Sequence, residues 1–522
     1  MEFQDMSGPH LDSGRALVEG DRVVGGKVYV IIWFDVEDYF TPKTDDADMW
    51  AAELASTMGV PVTIKVVGEK ARNLERRGRH DVLRALAQHD LGYHTDWHSR
   101  PPTIATYLRD MTWEEGVREF ERREAEGFED VRRIFGKDPV CFGQPGSSWA
   151  PQIYPVLKKW GIRLYLDEAR HVGLSNGQPF WFQDMLHVFN MRANAVKMEL
   201  GSQTDFQQTC ELFRSAYWRL REQGGGLISV FYHPLELVYH DFQDVVNFGQ
   251  GRNTPIEEWR EGEKRTALEI STSYQHLKQF FSFMRSHNDL LFINASQALE
   301  LYAVGRRQKA FSESDILRLA YQVQREITFQ AVNGIYLSAA EIFYVLTNWL
   351  MNCLLGSSGV GVKNLHSPMG PTRFVQTRRP EETVSWCEFR RALSETMSFL
   401  EDHNQVPSAV LIDTRHVSPQ DFLATLGKIV EHQIKGRTVL VDVNIQAGTF
   451  TVFKCAAEDS LALWMWPIFP EGFHAPNLMQ LTQLQTWTIK PACLVGDELD
   501  HQCLSQQRTV LETYPHGTQI NH

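Results

Sequence analysis

The chain has 522 residues, more than one ordinary domain holds, so two or three folding units are expected. Hydrophobic residues make up 43% and charged residues 22%, the balance of a globular protein with a large core and not of a disordered chain. A formal net charge of −13 argues against a nucleic-acid backbone as the main partner, because phosphate binding needs a basic stripe.

The seven cysteines are scattered and include no Cys-x-x-Cys pair, which reads as reduced thiols and not as a disulfide framework. The first eight residues are polar and acidic, without the basic and apolar regions of an export signal, so a cytoplasmic location is expected. The apolar stretch Ala339–Leu355 is broken by Glu341, Asn348 and Asn352. It is shorter than a membrane span and reads as a core helix, so no membrane partner is expected.

Residues 1–26 are a polar lead-in. From Lys27 to about Ala303, strand-like runs alternate with helical ones. The strands are expected at Val28–Phe34, Val62–Val67, Leu91–Tyr93, Val140–Phe142, Arg163–Leu166, His187–Met191, Leu227–Tyr232 and Leu290–Ile293. Helical segments such as Asp81–Gln88, Trp113–Phe135 and Pro151–Trp160 lie between them. Repeated β-then-α order implies parallel strands with right-handed crossovers, and seven or eight such units make a distorted, incomplete β/α barrel. An open doubly wound sheet is the competitor, but no Gly-x-Gly-x-x-Gly follows the first strand.

After Val304 the pattern changes to an α-rich region, expected over 306–522. Ser338 with Glu341, and Ser418 with Asp421, are hydroxyl N-caps with an acid three positions on. Each follows another helical stretch, Asp315–Thr328 or Glu388–Asp402, so two related helical repeats are expected. Gly356–Glu382 between them reads as a mobile linker. Short strands are expected at Arg437–Asp442, Thr449–Lys454 and Leu461–Trp466, and the last 25 or so residues read as loosely ordered.

Three polar motifs sit at ends of the expected strands: Asp35-Val36-Glu37-Asp38, His94-Thr95-Asp96-Trp97-His98 and His233-Pro234. Two histidines at i,i+4 can converge on one metal when they share a face of a helical turn. In the extended strand Asp35 and Glu37 point the same way while Asp38 follows as the chain turns. Glu37 or Asp38 could complete a divalent metal site, with Asp35 free to take a proton from water and His233 to protonate a leaving amine. Asp167-Glu168 are further acids at a strand end, able to tune a neighbour or to serve a helix N-terminus.

These residues resemble the polysaccharide deacetylase family, the nodulation-type or family 4 carbohydrate esterases, over about residues 27–303. Phe34-Asp35-Val36-Glu37-Asp38 is similar to the family's first motif with inserted residues, and His94-Thr95-Asp96-Trp97-His98 meets its His-Ser/Thr-x-x-His motif in full. His233-Pro234 is similar to its late catalytic histidine. The resemblance implies a deacetylase-type barrel over 27–305. It also implies a divalent metal, zinc first, held by His94, His98 and Glu37 or Asp38, with Asp35 as base and His233 as acid. The implied substrate is an acetylated saccharide or a related small amide, hydrolysed at a non-peptide C–N bond. The family's third motif, Arg-x-Pro-x-Gly, stands here as Gly143-Gln144-Pro145-Gly146, without the arginine that holds the base. Gln144, Pro145, Gly146 and Trp149 are expected to line the substrate site, Trp149 by stacking on a ring. The missing arginine keeps a second reading open, a non-catalytic saccharide receptor on the same scaffold. The stretch from Asn404 to Phe422 weakly resembles pseudomurein-binding repeats, which implies a glycan or homo-oligomer contact through the C-terminal region.

Overall fold

In the computed structural model of the chain the described residues are 26–303, 309–356, 362–363, 367–375, 382–436 and 441–494. The lead-in and the final stretch from 495 lie outside them.

Ten strands build the first body: β1 (Val28–Val36), β2 (Thr63–Val66), β3 (Asp90–Tyr93), β4 (Cys141–Phe142), β5 (Leu164–Leu166), β6 (Phe180–Phe182), β7 (Met185–Val188), β8 (Ala195–Lys197), β9 (Gly226–Tyr232) and β10 (Leu290–Ile293). They hydrogen-bond in the order β6-β7-β5-β4-β3-β2-β1-β9-β8, with β10 against the first half of β1. Every pairing is parallel except β6 with β7. The sheet is a half-barrel that does not close between β6 and β8. Strands β6 and β8 were not expected, and β7 begins two residues before the expected His187. Three-residue strands are too short to establish an alternating period.

Side-chain alternation along β1 divides two cores. Val28, Val30, Ile32, Phe34 and Val36 join the large apolar cluster under the helices. Ile31 and Trp33 join a smaller cluster on the opposite, inner face with Cys141, Leu164 and Leu227. A period of two then carries Asp35 and Glu37 onto that inner face at the strand's C-terminal end. Long helices back the outer face. Trp113–Phe135 opens on a complete capping box from Thr112 and Glu115 and ends at Gly136 in the left-handed conformation.

Beyond 309 two segments run through one element order. In the first, β11 (Ala310–Phe311) leads to the helix Glu313–Arg325, then to the hairpin of β12 (Gln330–Val332) and β13 (Ile335–Leu337). The helix Ala339–Leu354 and β14 (Val362–Lys363) complete it. In the second, β15 (Thr383–Ser385) leads to Trp386–His403, the hairpin of β16 (Val410–Ile412) and β17 (Arg415–Val417), Pro419–Ile434 and β18 (Asp442–Asn444). The entering and leaving strands pair antiparallel in both segments. Ser338 and Ser418 accept from the backbone N–H groups of Glu341 and Asp421, as their spacing suggests.

Three expectations for this region are corrected. The stretch read as a linker supplies β14, and its residue Gly370 is clasped by Gln485, whose side chain bonds the backbone of Gly370 and Pro371. The stretches expected as strands at Thr449–Lys454 and Leu461–Trp466 contain single 3-10 turns at Val452–Cys455 and Leu461–Leu463. Finally, the described residues of the region expected over 306–522 are not one separate body. Gly173 N donates to Cys455 O at 2.9 Å, and Ala457 N to His171 O at 2.9 Å. Val452, Trp464, Phe469 and Ile489 lie in the same core as Val30. A last strand, β19 (Lys490–Pro491), pairs antiparallel with β6. Among the described residues no helix is long and apolar enough to cross a membrane.

Candidate metal centre

Five strands bring their C-terminal ends to one place: Asp35 and Glu37 at β1, His94 and His98 after β3, Gly143 after β4, Asp167 after β5 and His233 after β9. Ligand atoms of Glu37, His94 and His98 lie within 4.8 Å of one another, and so do those of Asp35, Glu37 and His233. His98 Nε2 is 3.1 Å and His94 Nε2 3.5 Å from Glu37 Oε2. All three side chains are buried.

The two histidines converge through a loop, not a helical turn. Thr95 and His98 have φ of 66° and 51°, a left-handed backbone that is costly for a threonine and recurs at functional sites. The surroundings hold the loop in place. Gly68 N and Glu69 N, at the start of the helix Gly68–Arg76, donate to Thr95 O and Asp96 O. Asp96 Oδ1 pairs with Arg72 at 2.6 Å. From beneath, Glu124 Oε2 accepts from both Tyr93 Oη and Asp96 N at 2.8 Å.

Hydrogen bonding sets the face each imidazole presents. His94 Nδ1 is 2.9 Å from Gly143 O; a carbonyl only accepts, so Nδ1 carries the hydrogen and Nε2 is left with its lone pair. Ser99 Oγ gives its hydrogen to Asp244 Oδ2 at 2.5 Å and so accepts from His98 Nδ1. In their neutral form both rings aim the Nε2 lone pair at Glu37, and His98 Nε2 is a buried atom without a hydrogen-bond partner. Two imidazole lone pairs, a carboxylate and outer groups that fix each ring are the donor set of a divalent cation site. These residues fit the metal that the motif implies. Burial alone would raise Glu37, but the charges of His98 and His233 outweigh it and hold the carboxyl well below its ordinary value. Burial would lower His98, whereas Glu37 and then Asp244 raise it.

Asp35 stands beside this set. Its Oδ2 is 3.8 Å from His94 Nε2 and 3.6 Å from His233 Nε2. Its Oδ1 is 3.0 Å from Lys65 Nζ. His233 is held at Nδ1 by Glu236, 3.0 Å away. Burial would lower its imidazole, yet Glu37, Glu236 and Asp35 together raise it to about 9.

Several expected residues stand elsewhere. Asp38 turns from the cluster and binds its own chain, accepting from Phe40 N at 2.8 Å and Thr41 Oγ1 at 3.1 Å. Burial raises its carboxyl to about 7. Of the two candidate acids, Glu37 is the one that meets both histidines. Trp149 is fully buried, with its Nε1 donating to Tyr154 Oη and its ring stacked on His171. Gln144 is also fully buried, bonded to Tyr165 Oη and Gly146 O, and Pro145 is buried with it. These three side chains are walls of the core and present no surface to a substrate. Of the four expected there, only Gly146 is exposed. Asp167 caps no helix; it pairs with Lys65 at 2.5 Å.

Three contributors were not expected. Lys65 is one, and its sequence signal is a lone charge inside the apolar run Val62–Val67. Asp244, which steadies His98 through Ser99, carries no such mark. Trp466 comes from the returning tail: it stands edge-on to His98 at 6.0 Å and lies directly over Gly146, where any Cβ would meet its ring. Gln250 N and Gly251 N hold this segment by donating to Pro467 O and Ile468 O.

No protein-family model and no curated protein matches the chain. Solved structures resemble its first half. A Mycobacterium smegmatis protein assigned as a polysaccharide deacetylase is 15% identical, with 54% of this chain and 92% of that chain covered and a TM-score of 0.35. The Puue allantoinase is 12% identical, covering 56% and 97%, with a TM-score of 0.36. A Pseudomonas aeruginosa PAO1 protein assigned as a polysaccharide deacetylase is 13% identical, covering 53% and 91%, with a TM-score of 0.34. Such distant likeness says nothing of chemistry.

Proposed function

We propose that the inner rim of the half-barrel is a metal-dependent hydrolase site for non-peptide C–N bonds, acting on an acetylated saccharide or a related small amide. The observation that carries this reading is the convergence of two imidazole Nε2 atoms, each fixed by a bond at Nδ1, on the buried Glu37 carboxylate. A second carboxylate, Asp35, lies beside this set and pairs with a lysine.

His94, His98 and Glu37 would hold the ion. When bound, a divalent cation there supplies Lewis-acid polarisation of the acyl oxygen and makes water a better nucleophile near neutral pH. Asp35, with Oδ2 turned toward the cluster, takes the proton from the attacking water. His233, held at Nδ1 by Glu236 and with Nε2 toward Asp35, gives a proton to the departing amine. Trp466 offers the half-buried aromatic face beside His98 against which a ring-shaped substrate can rest.

The test is metal analysis of the purified protein together with acetate and ammonia release from acetylated sugars and from linear and cyclic amides. Near-stoichiometric divalent metal is expected, lost in a His94→Ala/His98→Ala variant. Asp35→Asn should keep the metal and lose turnover. Metal content unaffected by the double substitution would overturn the reading. Saccharide binding without release of either product would favour a receptor.

A further inference from the structure

We propose that Lys65 is the positioning residue of the site: it orients the Asp35 carboxylate and neutralises the charge around it, and two bare positions, Gly92 and Gly143, exist to let its side chain through. The inference rests on the reading of Asp35 as the base.

The geometry begins with register. Asp35 on β1 and Lys65 on β2 are direct partners in the parallel ladder, and Lys65 in turn partners Gly92 on β3. All three lie on the inner face. From its Cα, Lys65 extends over Gly92, where an added Cβ would come 2.5 Å from Cys141 Sγ and 2.8 Å from Lys65 Cγ. Its head ends at Gly143, where a Cβ would come to 2.3 Å from Lys65 Nζ and 2.4 Å from Asp167 Oδ2. Gly143 is thus the space that the ammonium group fills.

The surroundings of that group are those of a committed cation. Lys65 has no exposure to solvent. It faces Asp35 Oδ1 at 3.0 Å and Asp167 Oδ2 at 2.5 Å, and it lies 4.1 Å from the centroid of the Trp33 ring. Trp33 is itself fixed by stacking on Phe231 and by donating to Ser229 Oγ. The bond to Asp167 is aligned, whereas the contact with Asp35 is a charge pair without hydrogen-bond alignment. Asp167 therefore anchors the ammonium group, and the ammonium group sets Asp35. With Oδ1 held on this side, Oδ2 is the oxygen left facing His94 and His233. Without Lys65 two buried carboxylates would share the space with no cation between them, an expensive arrangement. The cation that position 143 does not supply is supplied from β2, the strand beside Asp35, which also removes the feature that favoured a receptor.

Lys65→Met keeps the stem of the side chain and removes its charged head. It should lower kcat by about 100-fold or more, the scale of losing one preorganised charge contact, with KM and metal content near wild type. In Lys65→Ala, added ethylammonium should restore turnover in proportion to its concentration, and tetramethylammonium, which cannot donate a hydrogen bond, should not. Gly143→Ala leaves the lysine charged but displaces its head, and should lower kcat while retaining metal. A kcat within threefold of wild type in Lys65→Met or in Gly143→Ala overturns the proposal. If wild type hydrolyses no amide with any metal, the parent reading fails instead. The packing is then judged by melting temperature: Gly143→Ala should destabilise the Lys65 protein and have a much smaller effect in Lys65→Ala, and equal effects would refute it.

Discussion

Glu124 couples the histidine loop to pH. Its carboxyl is almost wholly buried under residues 93–96, and burial raises it from the usual 4.5 to about 7, against the stabilising bonds from Tyr93 and Asp96 N. The folded protein thus holds this proton more tightly than the unfolded chain. The stabilisation is complete below about pH 4.5, declines as pH rises, and is gone above about 7; at full extent it amounts to about 3 kcal/mol. Glu124→Gln removes the titration while its amide oxygen can still accept from Tyr93 Oη and Asp96 N. The stability of the variant minus that of wild type should therefore rise by up to about 3 kcal/mol between pH 5 and pH 8. That corresponds to a relative gain in melting temperature of roughly 3–5 °C. Scanning calorimetry of both proteins at the two pH values measures it, and taking the difference cancels the buried acids that do not interact with Glu124. A difference that stays within ~1 °C across that range, or one that moves in favour of wild type, would refute the reasoning that a buried, neutral carboxyl supports the loop.

Other substitutions separate the neighbouring roles. Glu37→Gln should lose divalent metal in elemental analysis, while Asp38→Asn should retain it, because the Asp38 carboxyl accepts from Phe40 N and Thr41 Oγ1 of its own turn. Asp244→Asn should weaken metal affinity by about 10–100-fold, the usual cost of losing an outer partner of a ligating histidine, measured by competition with a chelator. Trp149→Ala should cost about 3–5 kcal/mol of stability as a cavity in a closed core; a loss of substrate affinity in Trp149→Phe with stability unchanged would instead return it to the binding surface. Trp466→Ala should raise KM for a ring-shaped substrate about tenfold, as for one lost stacking contact, with little change in kcat; an unchanged KM would remove the tail from the site.

The local chemistry of the rim was legible in the sequence, since it depends on short-range regularities. A strand alternates with a period of two, so Asp35 and Glu37 had to share the face of Trp33, and His233 the face of Phe231. A histidine pair four apart next to strand β3 pointed to two imidazoles meeting in one place, although the loop that joins them is left-handed and not helical. Caps at Ser338 and Ser418 needed only three residues of context.

What the tertiary structure decided is which side chains from distant segments share a space. Glu37 and Asp38 are adjacent acids, and only the turn at Phe40 and Thr41 sends one inward and the other back to its own backbone. Trp149 looked like a binding surface because an exposed and a buried tryptophan have the same sequence signature; the packing of Tyr154, His171 and Phe182 around it settles the matter. Gly143 carries no side chain, and the Lys65 ammonium group fills the space a Cβ would take; that fit spans β2, β3 and β4, whose register no local pattern encodes. The tail's return, which puts Trp466 over Gly146, is likewise a product of burial: apolar residues from Val452 to Ile489 find their cover on the first core, and hydrophobic association depends on area removed from water, not on distance along the chain.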